Sequence, residues 1–349
     1  VVAALSNSSK FWYDRGGFRS KVISKIKTGQ IHFKYNGYGE NLEKFIHDNE
    51  HRLIESTDRI TKKMRERGGG ITKIKLINKS TELKSYYQLH VDFKTIDSMG
   101  ANFINSCLEL ISDKFIQLLN DSPRFKESEK EIEVIMSILS NYTPECIVES
   151  SIECKIGDLG FIDGMSSKEF ALKFKNAFDI ADIDINRAVT HNKGIMNGVD
   201  AVLISTGNDF RAVEAGVHAF ASNRGKYMSL SKCSIIDNIF KISLKIPLSV
   251  GTVGGITDIH PMVKLSLKLL KNPTSDELMN IICSVGLAQN FAAVKSLVTT
   301  GIQKGHMKMH LINLLIKQNA TKDQIDKSEE YFRDKDIDSQ SVKDFLNQN

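Results

Sequence analysis

The chain has 349 residues, of which 41% are hydrophobic and 26% charged, a composition typical of folded globular proteins and not of disordered chains. A net charge of +5 suits anionic small molecules but supports nucleic-acid binding only weakly. Five scattered cysteines without a CxxC pair indicate reduced thiols rather than disulfides or a zinc site. No secretory or transit pattern precedes the first elements, and the apolar stretch 281–298 contains Gln289, Asn290 and Lys295, so we expect a cytoplasmic protein without a membrane span.

The first half of the sequence predicts a small domain over residues 24–138. An alternating strand, 30–36, precedes a long charged helix, 41–67, which stops at three consecutive glycines. The remaining predicted elements are two strands joined by a polar turn, a helix and a last strand: 73–78, 86–95, 100–119 and 131–137. The order strand, helix, strand, strand, helix, strand is the split βαβ arrangement of ferredoxin-like domains.

The second half predicts a mixed α/β region followed by a helical tail. The predicted elements are a strand at 146–157, a helix at 166–181 capped by Ser166, helices within 187–224, a strand at 238–247, and helices at 262–271 and 275–299. Two short tail helices are expected to start at Thr321 and Ser341. Because the tail should have little apolar surface and few contacts per residue, we expect a mobile appendage.

A lysine in the paired helices is the first candidate for chemistry. Thr190, Lys193 and Asn197 share one face at helical spacing. Lys193 has mostly apolar neighbours, and a buried ammonium needs a carboxylate partner or loses its proton. Asp209, at the first turn of the next helix, is the candidate partner. An ordinary exposed lysine on an amphipathic helix explains this stretch equally well.

Two glycine segments and two histidines are weaker candidates. GTVGG (251–255) and DSMGAN (97–102) would allow close approach of backbone to a phosphate, but ordinary strand-to-helix turns explain both, and neither is GxGxxG. His306 and His310 are four residues apart without a third ligand nearby, so we expect no metal site. One histidine on a mobile tail would suit a proton donor, and a solvated surface histidine is the alternative.

Five motifs together are more specific than any one of them. THNKGIMNG, TGNDFRAVEAG, GTVGG, GLAQN and GHMKMH, in this order and spacing, resemble 3-hydroxy-3-methylglutaryl-coenzyme A (HMG-CoA) reductase of the bacterial, class II type. DSMGAN stands where that family has DAMGAN, and SILSN (137–141) also matches. The resemblance covers nearly the whole chain. It implies an α+β fold: a large mixed α/β substrate domain (1–23 and 139–300), an inserted ferredoxin-like dinucleotide-binding domain (24–138) and a helical C-terminal flap (301–349).

The resemblance also implies an activity: reduction of HMG-CoA to mevalonate and coenzyme A by NAD(P)H, without a metal, in the mevalonate pathway. The implied catalytic residues are Lys193, Asp209 and His306, and the implied substrate-binding residues are Arg187, Asn197, Asn141, Gln289 and Asn290. The implied cofactor-binding residues are Asp97, Met99, Gly100, Ala101, Asn102, Thr61, Lys62, Lys63, Gly251, Thr252, Val253 and Gly254. The family's catalytic glutamate lies just before the segment matching VVAA, so it has no position here, and we expect the printed polypeptide to be catalytically impaired.

Cofactor choice and assembly are further expectations from the resemblance. Family members that prefer NAD have an aspartate near the end of the long helix, where Thr61 is followed here by Lys62 and Lys63. Loss of the carboxylate removes repulsion toward the 2′-phosphate of NADPH, and the two neighbouring ammonium groups add attraction. The family's active site forms across a homodimer, so we expect a dimer or an oligomer of dimers. The competing interpretations are an RNA-binding protein with a ferredoxin-like domain, although the aromatic strand motif is absent, and a non-catalytic homologue.

Overall fold

Two four-stranded antiparallel sheets, each with its own apolar core, organise the part of the chain that the computed structural model describes: residues 1–257, 259–299, 301, 311–332, 335 and 337–348. The strands are β1 (Arg19–Val22), β2 (Ile26–Tyr35), β3 (Gly70–Asn78), β4 (Tyr86–Lys94), β5 (Ile132–Leu139), β6 (Ile147–Lys155), β7 (Ser231–Ile236) and β8 (Ile239–Pro247).

The helices connect and cover these strands. They are α1 (Val2–Tyr13), α2 (Gly39–Glu55), α3 (Asp58–Glu66), α4 (Ala101–Asn120), α5 (Glu127–Lys130), α6 (Ser167–Ile183), α7 (Ile185–Ser205), α8 (Phe210–Ala221), α9 (Pro261–Leu269), α10 (Ser275–Val298), α11 (described over 311–317), α12 (Lys322–Tyr331) and α13 (Ser339–Gln348). A 3₁₀ turn, Ile156–Leu159, follows β6.

The smaller sheet has strand order β3-β4-β2-β5, which is the ferredoxin-like order, and the predicted fold class is confirmed. Alternate residues of β2 and β4, among them Phe33, Leu89 and Phe93, point to one face, where α2 and α4 bury them. The predicted single helix over 41–67 is wrong, because it divides into α2 and α3. The hydroxyls of Ser56 and Thr57 donate to Leu53 O and Ile54 O at 2.6 and 2.7 Å and so close the end of α2.

The larger sheet has strand order β1-β6-β8-β7, and α1, α6, α7 and α10 supply its core. Trp12, Phe174, Phe240 and Phe291 form one aromatic cluster with ring centroids 5.2–6.4 Å apart. Strands β1 and β7 were not among the predicted strands. They are short outer strands: β1 alternates exposed and half-buried positions, and β7 has a single buried position, so neither has a long apolar run.

Helix α10 is the principal helix of this core. By length and composition alone it could cross a membrane, and it is the one helix in the described ranges that meets this test. Over half of its most apolar 18-residue window, 56%, is buried inside the protein. This burial agrees with the prediction of a core helix, since a helix that is apolar on most of its faces is packed on most of its faces.

The described part of the C-terminal tail has a small core of its own. Leu315, Phe332 and Phe345 are buried together between α11, α12 and α13. The expectation that the tail has little apolar surface is therefore wrong. Thr321 caps α12 in a capping box, as predicted, but Ser341 lies inside α13, because the Asp338 carboxylate accepts from the first amides of that helix.

Candidate active site

The motif-rich helices α7 and α8 form a hairpin, and each helix begins at a capping aspartate. The Asp184 carboxylate accepts from Arg187 N at 2.7 Å and starts α7. The chain turns at Gly207, whose φ of +69° favours glycine. Asp209 then caps α8 by accepting from the amides of Arg211 and Ala212. The predicted pair of consecutive helices within 187–224 is confirmed.

Lys193 lies on the outer face of this hairpin. Its neighbours at helical spacing, Thr190 and Asn197, are on the same side, while Ile195, Met196 and other apolar residues occupy the opposite, buried side. The prediction of apolar surroundings for this lysine is wrong, since its side chain is exposed. Within the described residues, the Lys193 ammonium forms no ion pair or hydrogen bond, so it is free to meet a substrate.

Asp209 pairs with a different cation from the predicted one. Its two carboxylate oxygens accept from Arg211 Nε and Nη2 at 3.1 and 3.0 Å. Hydrogen bonds from Arg211 hold the pKa of this carboxyl below its usual range. The predicted Lys193–Asp209 pair is not formed in this structure of one chain, because Arg211 is two residues away and reaches the carboxylate locally.

Among the predicted substrate-binding residues, Arg187 and Asn197 are accessible and two amides are not. Arg187 is half-buried, and its guanidinium has no ion pair within the described residues; burial lowers its pKa. Gln289 is buried and its Nε2 donates to Val1 O at 2.6 Å. Asn290 is 1% exposed, and its Oδ1 accepts from Ser231 Oγ at 2.9 Å. Both amides therefore support the site from inside the core.

A buried histidine belongs to the same polar cluster. His191 Nε2 lies 2.7 Å from Ser231 Oγ and 3.1 Å from Asn290 Nδ2. Burial, assisted by the charge of Arg187, lowers the pKa of His191 to about 3, so the ring is neutral. Next to it, the Asn192 side chain bonds Met228 O and Leu230 N and ties α7 to the segment before β7. These contacts fix the inner face of α7 and leave its outer face free.

The two glycine segments, far apart in sequence, lie against each other. The amides of Thr252 and Val253 donate to Asp97 O at 2.8 and 3.3 Å, and Ser98 forms a parallel bridge with Val253. A Cβ on Gly251 would lie 2.4 Å from Met99 N, so only glycine allows this approach. We name residues 95–102 and 250–255 together the glycine loops.

The glycine loops also contact the α7–α8 hairpin and α10. Asn208, just before Asp209, accepts from Gly251 N through Oδ1 at 2.9 Å. Ser275, at the start of α10, donates from N to the Asp97 carboxylate and from Oγ to Ile96 O, each at 2.9 Å. The carboxylate predicted to contact the cofactor is thus engaged by α10. Ile96 has φ +52°, an uncommon conformation for a β-branched residue, and it lies between these contacts.

Helix α4 begins at the glycine loops without a side-chain cap. Gly100 precedes it with φ +85°, and a Cβ there would lie 2.6 Å from Thr95 Cγ2. Ala101 is the first helical residue and Asn102 is exposed. A 20-residue helix with uncapped first amides presents donors and a positive dipole end to an anion.

The remaining predicted site residues differ in burial: one is buried and three are exposed. Thr61 is 1% exposed, and its hydroxyl donates to Thr57 O at 3.1 Å, whereas Lys62 and Lys63 are exposed on α3. The exposed Asn141 lines a small recess between α8 and Met99, and a Cβ on Gly216 would lie 2.6 Å from Asn141 O.

The two tail histidines, His306 and His310, lie outside the described residues. No cluster of three His, Cys, Asp or Glu side chains suited to a metal occurs within those residues.

Two residues that the sequence did not indicate carry shifted pKa values. Lys27 on β2 is buried beneath the glycine loops. Its position in phase with Gly29, Ile31 and Phe33, the inner residues of β2, was the available signal. Asp200 lies on α7, seven residues after Lys193, with its carboxyl close to that of Glu214 on α8. Burial and then the interaction with the Glu214 carboxyl raise the pKa of Asp200 to about 7.

The Asp200–Glu214 pair predicts a pH-dependent stability. Because the folded-state pKa of Asp200 is raised from 3.8 to about 7, its contribution is fully present below pH 3.8 and is lost as pH rises to about 7. We expect Asp200→Asn to raise the free energy of unfolding above pH 7 by about 1 kcal/mol, a value reduced for partial exposure. Urea unfolding at acid and alkaline pH, with exposed Asp163→Asn as control, measures this. Equal gains for Asp200→Asn at both pH values would contradict it.

Comparison with known proteins identifies the family. The profile described as hydroxymethylglutaryl-coenzyme A reductase matches residues 1–311. A 3-hydroxy-3-methylglutaryl-coenzyme A reductase of Archaeoglobus fulgidus is 33% identical over 329 residues, which are 94% of this chain and 71% of that protein. A probable reductase of the same name from Borreliella burgdorferi is 34% identical over 319 residues, 90% of this chain and 69% of that protein.

Solved structures agree with this result. A Streptococcus pneumoniae 3-hydroxy-3-methylglutaryl-coenzyme A reductase is 34% identical with a TM-score of 0.79, and the match covers 99% of this chain and 80% of that one. A class II reductase from the same organism, bound to NADPH in open conformations, is 35% identical with a TM-score of 0.78, covering 85% and 78%. The chain therefore belongs to the hydroxymethylglutaryl-coenzyme A reductase family, in its class II branch.

Proposed function

We propose that the full-length protein catalyses the four-electron reduction of HMG-CoA to mevalonate and coenzyme A, with two NAD(P)H molecules each supplying one hydride. The contact of Asn208 with Gly251 carries the proposal, because it brings the Lys193–Asp209 hairpin to the glycine loops. Residues 24–138 are assigned to dinucleotide binding, residues 1–23 and 139–300 to substrate binding, and residues 301–349 to a C-terminal flap. The proposed compartment is the cytoplasm. An RNA-binding protein would leave the hairpin and its contact with the glycine loops unexplained.

The glycine loops fit a dinucleotide pyrophosphate. The first amides of α4 have no side-chain cap, and Gly251 packs without a side chain against the Met99 backbone. Such a concave surface of main-chain donors at a helix start binds phosphate oxygens. We assign this role to the amides of Met99, Gly100 and Ala101, and Asp97 fixes their position through Ser275. Gly251–Gly254 would contact the cofactor beside them, although three of these amides already donate to Asn208 and Asp97.

The hairpin residues have distinct roles in the proposed reaction. Lys193 donates to the thioester oxygen and stabilises the negative charge that develops there. Arg187, half-buried and without an ion pair in the described chain, binds the free carboxylate of the substrate. Asp209 becomes the counter-ion of Lys193 when substrate binds, because its pair with Arg211 is exposed to solvent and is broken at little cost. Asn197 and Asn141 bind polar groups of the substrate, supported by the buried Gln289 and Asn290.

Release of coenzyme A needs an acid. We assign His306 to protonate the departing thiolate, because a histidine changes charge near neutral pH. The flap would close during hydride transfer and open between the two steps. Oxidised dinucleotide would then leave and reduced dinucleotide would bind.

Stoichiometry tests the proposal. Full-length protein supplied with hydroxymethylglutaryl-coenzyme A should oxidise two dinucleotides for each thiol released, measured by absorbance and by a thiol reagent. Thiol release without dinucleotide oxidation would indicate a hydrolase, and no turnover with tight thioester binding would indicate a non-catalytic homologue.

The exposed lysines of α3 predict a preference for NADPH. With Thr61 buried, the attraction to the 2′-phosphate rests on Lys62 and Lys63. We expect kcat/KM to favour NADPH over NADH, and Lys62→Glu with Lys63→Glu to reduce that ratio by about tenfold or more. Exposed Lys44→Glu with Arg59→Glu keeps the same net charge and is the control. A wild-type ratio that favours NADH contradicts the assignment.

We also propose a homodimer or an oligomer of dimers. Large apolar side chains on α9 and the segment before it, among them Ile259, Met262 and Leu269, are 61–77% exposed on the single chain. Several large apolar side chains exposed on neighbouring segments are typical of an interface. Sedimentation equilibrium at micromolar concentration gives the mass, and a monomer would remove the proposal.

A further inference from the structure

Lys27 is a buried ammonium that is neutralised by no carboxylate within the described residues. Its side chain is 4% exposed and lies on the helix-covered side of β2. Its Nζ donates to Thr95 Oγ1 at 2.7 Å, to Ser98 O at 2.9 Å and to Met99 O at 2.8 Å. An ammonium has three protons, so every donor is used, and all three acceptors belong to the glycine loops.

These contacts orient two successive peptide groups. In a trans peptide the carbonyl and the following N–H point in opposite directions, and the described chain has no cis peptide bond. With the carbonyls of Ser98 and Met99 turned toward Lys27, the N–H groups of Met99 and Gly100 point away from it. Neither amide donates to any group within the described residues. The Met99 nitrogen faces Gly251, so this amide lies where the two glycine loops meet, and the Gly100 amide follows it in the chain.

We propose that Lys27 is a positioning residue for the dinucleotide: its ammonium fixes the carbonyls of Ser98 and Met99 and thereby aims the next amides at the pyrophosphate. This inference rests on the proposed function. Lys27 does not touch the ligand and acts through the backbone that it orients. Thr95 completes the arrangement, because its hydroxyl accepts from Lys27 and donates to Ser98 O at 2.7 Å.

The protonation state of Lys27 should therefore control dinucleotide affinity. Burial is the main cause that lowers the pKa of Lys27 to about 8. The titratable groups facing it are the Cys146 thiol, whose pKa burial raises, and Lys25, which pairs with Asp276. Loss of a proton removes one donor and directs a lone pair at a carbonyl oxygen, so the glycine loops lose their orientation above pH 8.

Stability and binding should respond to pH in opposite directions. The folded-state pKa of Lys27 lies below 10.5, so the unfolded chain binds more protons between pH 8 and 10.5. The contribution of this group to the free energy of unfolding therefore rises across that window, while dinucleotide affinity falls. A purely structural lysine would give the first effect without the second.

The experiment is a fluorescence titration of full-length protein with NADPH and with NADH, from about pH 6.5 to 9.5. We expect the wild-type Kd to rise above pH 8, and Lys27→Met to have a Kd about tenfold higher at pH 7 without that rise. The KM for the thioester should be unchanged. Lys25→Met is the matched control, because Lys25 lines the same recess but bonds no carbonyl of the glycine loops.

Three outcomes overturn the inference: equal Kd values for Lys27→Met and wild type at pH 7, a wild-type profile that is flat between pH 7 and 9.5, or an equal loss in Lys25→Met. If Lys27→Met does not fold by circular dichroism, Thr95→Val and the wild-type profile decide. A wild-type protein that binds no dinucleotide at pH 7 refutes the proposed function, and this inference with it. Normal wild-type binding together with an unchanged Kd in Lys27→Met refutes the positioning role alone.

Discussion

Lys193→Met should lower kcat by about a thousandfold while leaving the fold intact. Removing a single donor to a developing oxyanion costs about two to three orders of magnitude in rate, and here the donor also carries the charge. The side chain is exposed, so its replacement leaves no cavity, and the free energy of unfolding should change by less than about 0.5 kcal/mol. Stopped-flow measurement of dinucleotide oxidation with saturating thioester measures the chemical step.

Two further variants make the Lys193 result interpretable. Lys168→Met removes an exposed lysine from α6 and should have normal kinetics. Lys193→Arg keeps the charge but changes its geometry, so it should recover only part of the rate. If Lys193→Met retains kcat within about threefold, the hairpin is not the reaction centre, and the catalytic assignment of Asp209 is removed as well.

Gly251→Ala should damage both the fold and dinucleotide binding. Its Cβ would lie 2.4 Å from Met99 N, 2.9 Å from Ser98 C and 3.0 Å from Asp97 O, and backbone atoms cannot move aside as a side chain can. We expect a loss of about 1–3 kcal/mol in the free energy of unfolding. The two glycine loops must separate, so the Kd for dinucleotide should also rise by about tenfold or more.

Gly157→Ala is the control for this substitution, because nothing lies within 4 Å of a Cβ at Gly157. It should be neutral or slightly stabilising, since alanine restricts the unfolded chain. Chemical unfolding of both variants compares the stability lost to the Cβ clash with the stability gained from a restricted unfolded chain. Fluorescence titration measures the Kd for dinucleotide. Unchanged stability and affinity in Gly251→Ala would show that the two loops do not need their close contact.

The smaller domain was predictable because each of its signals is local. Alternation in β2 and β4, the three glycines from Gly68 and the polar turn before Tyr86 fix the element order without tertiary information. The division between α2 and α3 was missed because it depends on whether the hydroxyls of Ser56 and Thr57 bond to the preceding turn or to solvent. Sequence spacing does not distinguish those two states.

The partners of charged side chains were less predictable than their positions. The motifs place Lys193 and Asp209 on consecutive helices, as observed, but not the bond from Asp209 to Arg211, which depends on side-chain rotamers at a helix start. Lys27 was missed altogether. It lies before the predicted strand 30–36, and its acceptors belong to a segment about seventy residues later. Only the register of β2 with β4 brings them together.

Helix α10 has a consequence for how the chain is made. Its packing partners in the larger core are α1, β1, β6, α6, α7 and β8, and all of them precede it in sequence. During synthesis from the N-terminus, the surfaces that receive this helix have left the ribosome before the helix itself emerges. The most apolar segment of the protein therefore has a binding surface ready when it appears, which shortens the time in which chaperones or the membrane-insertion machinery could capture it.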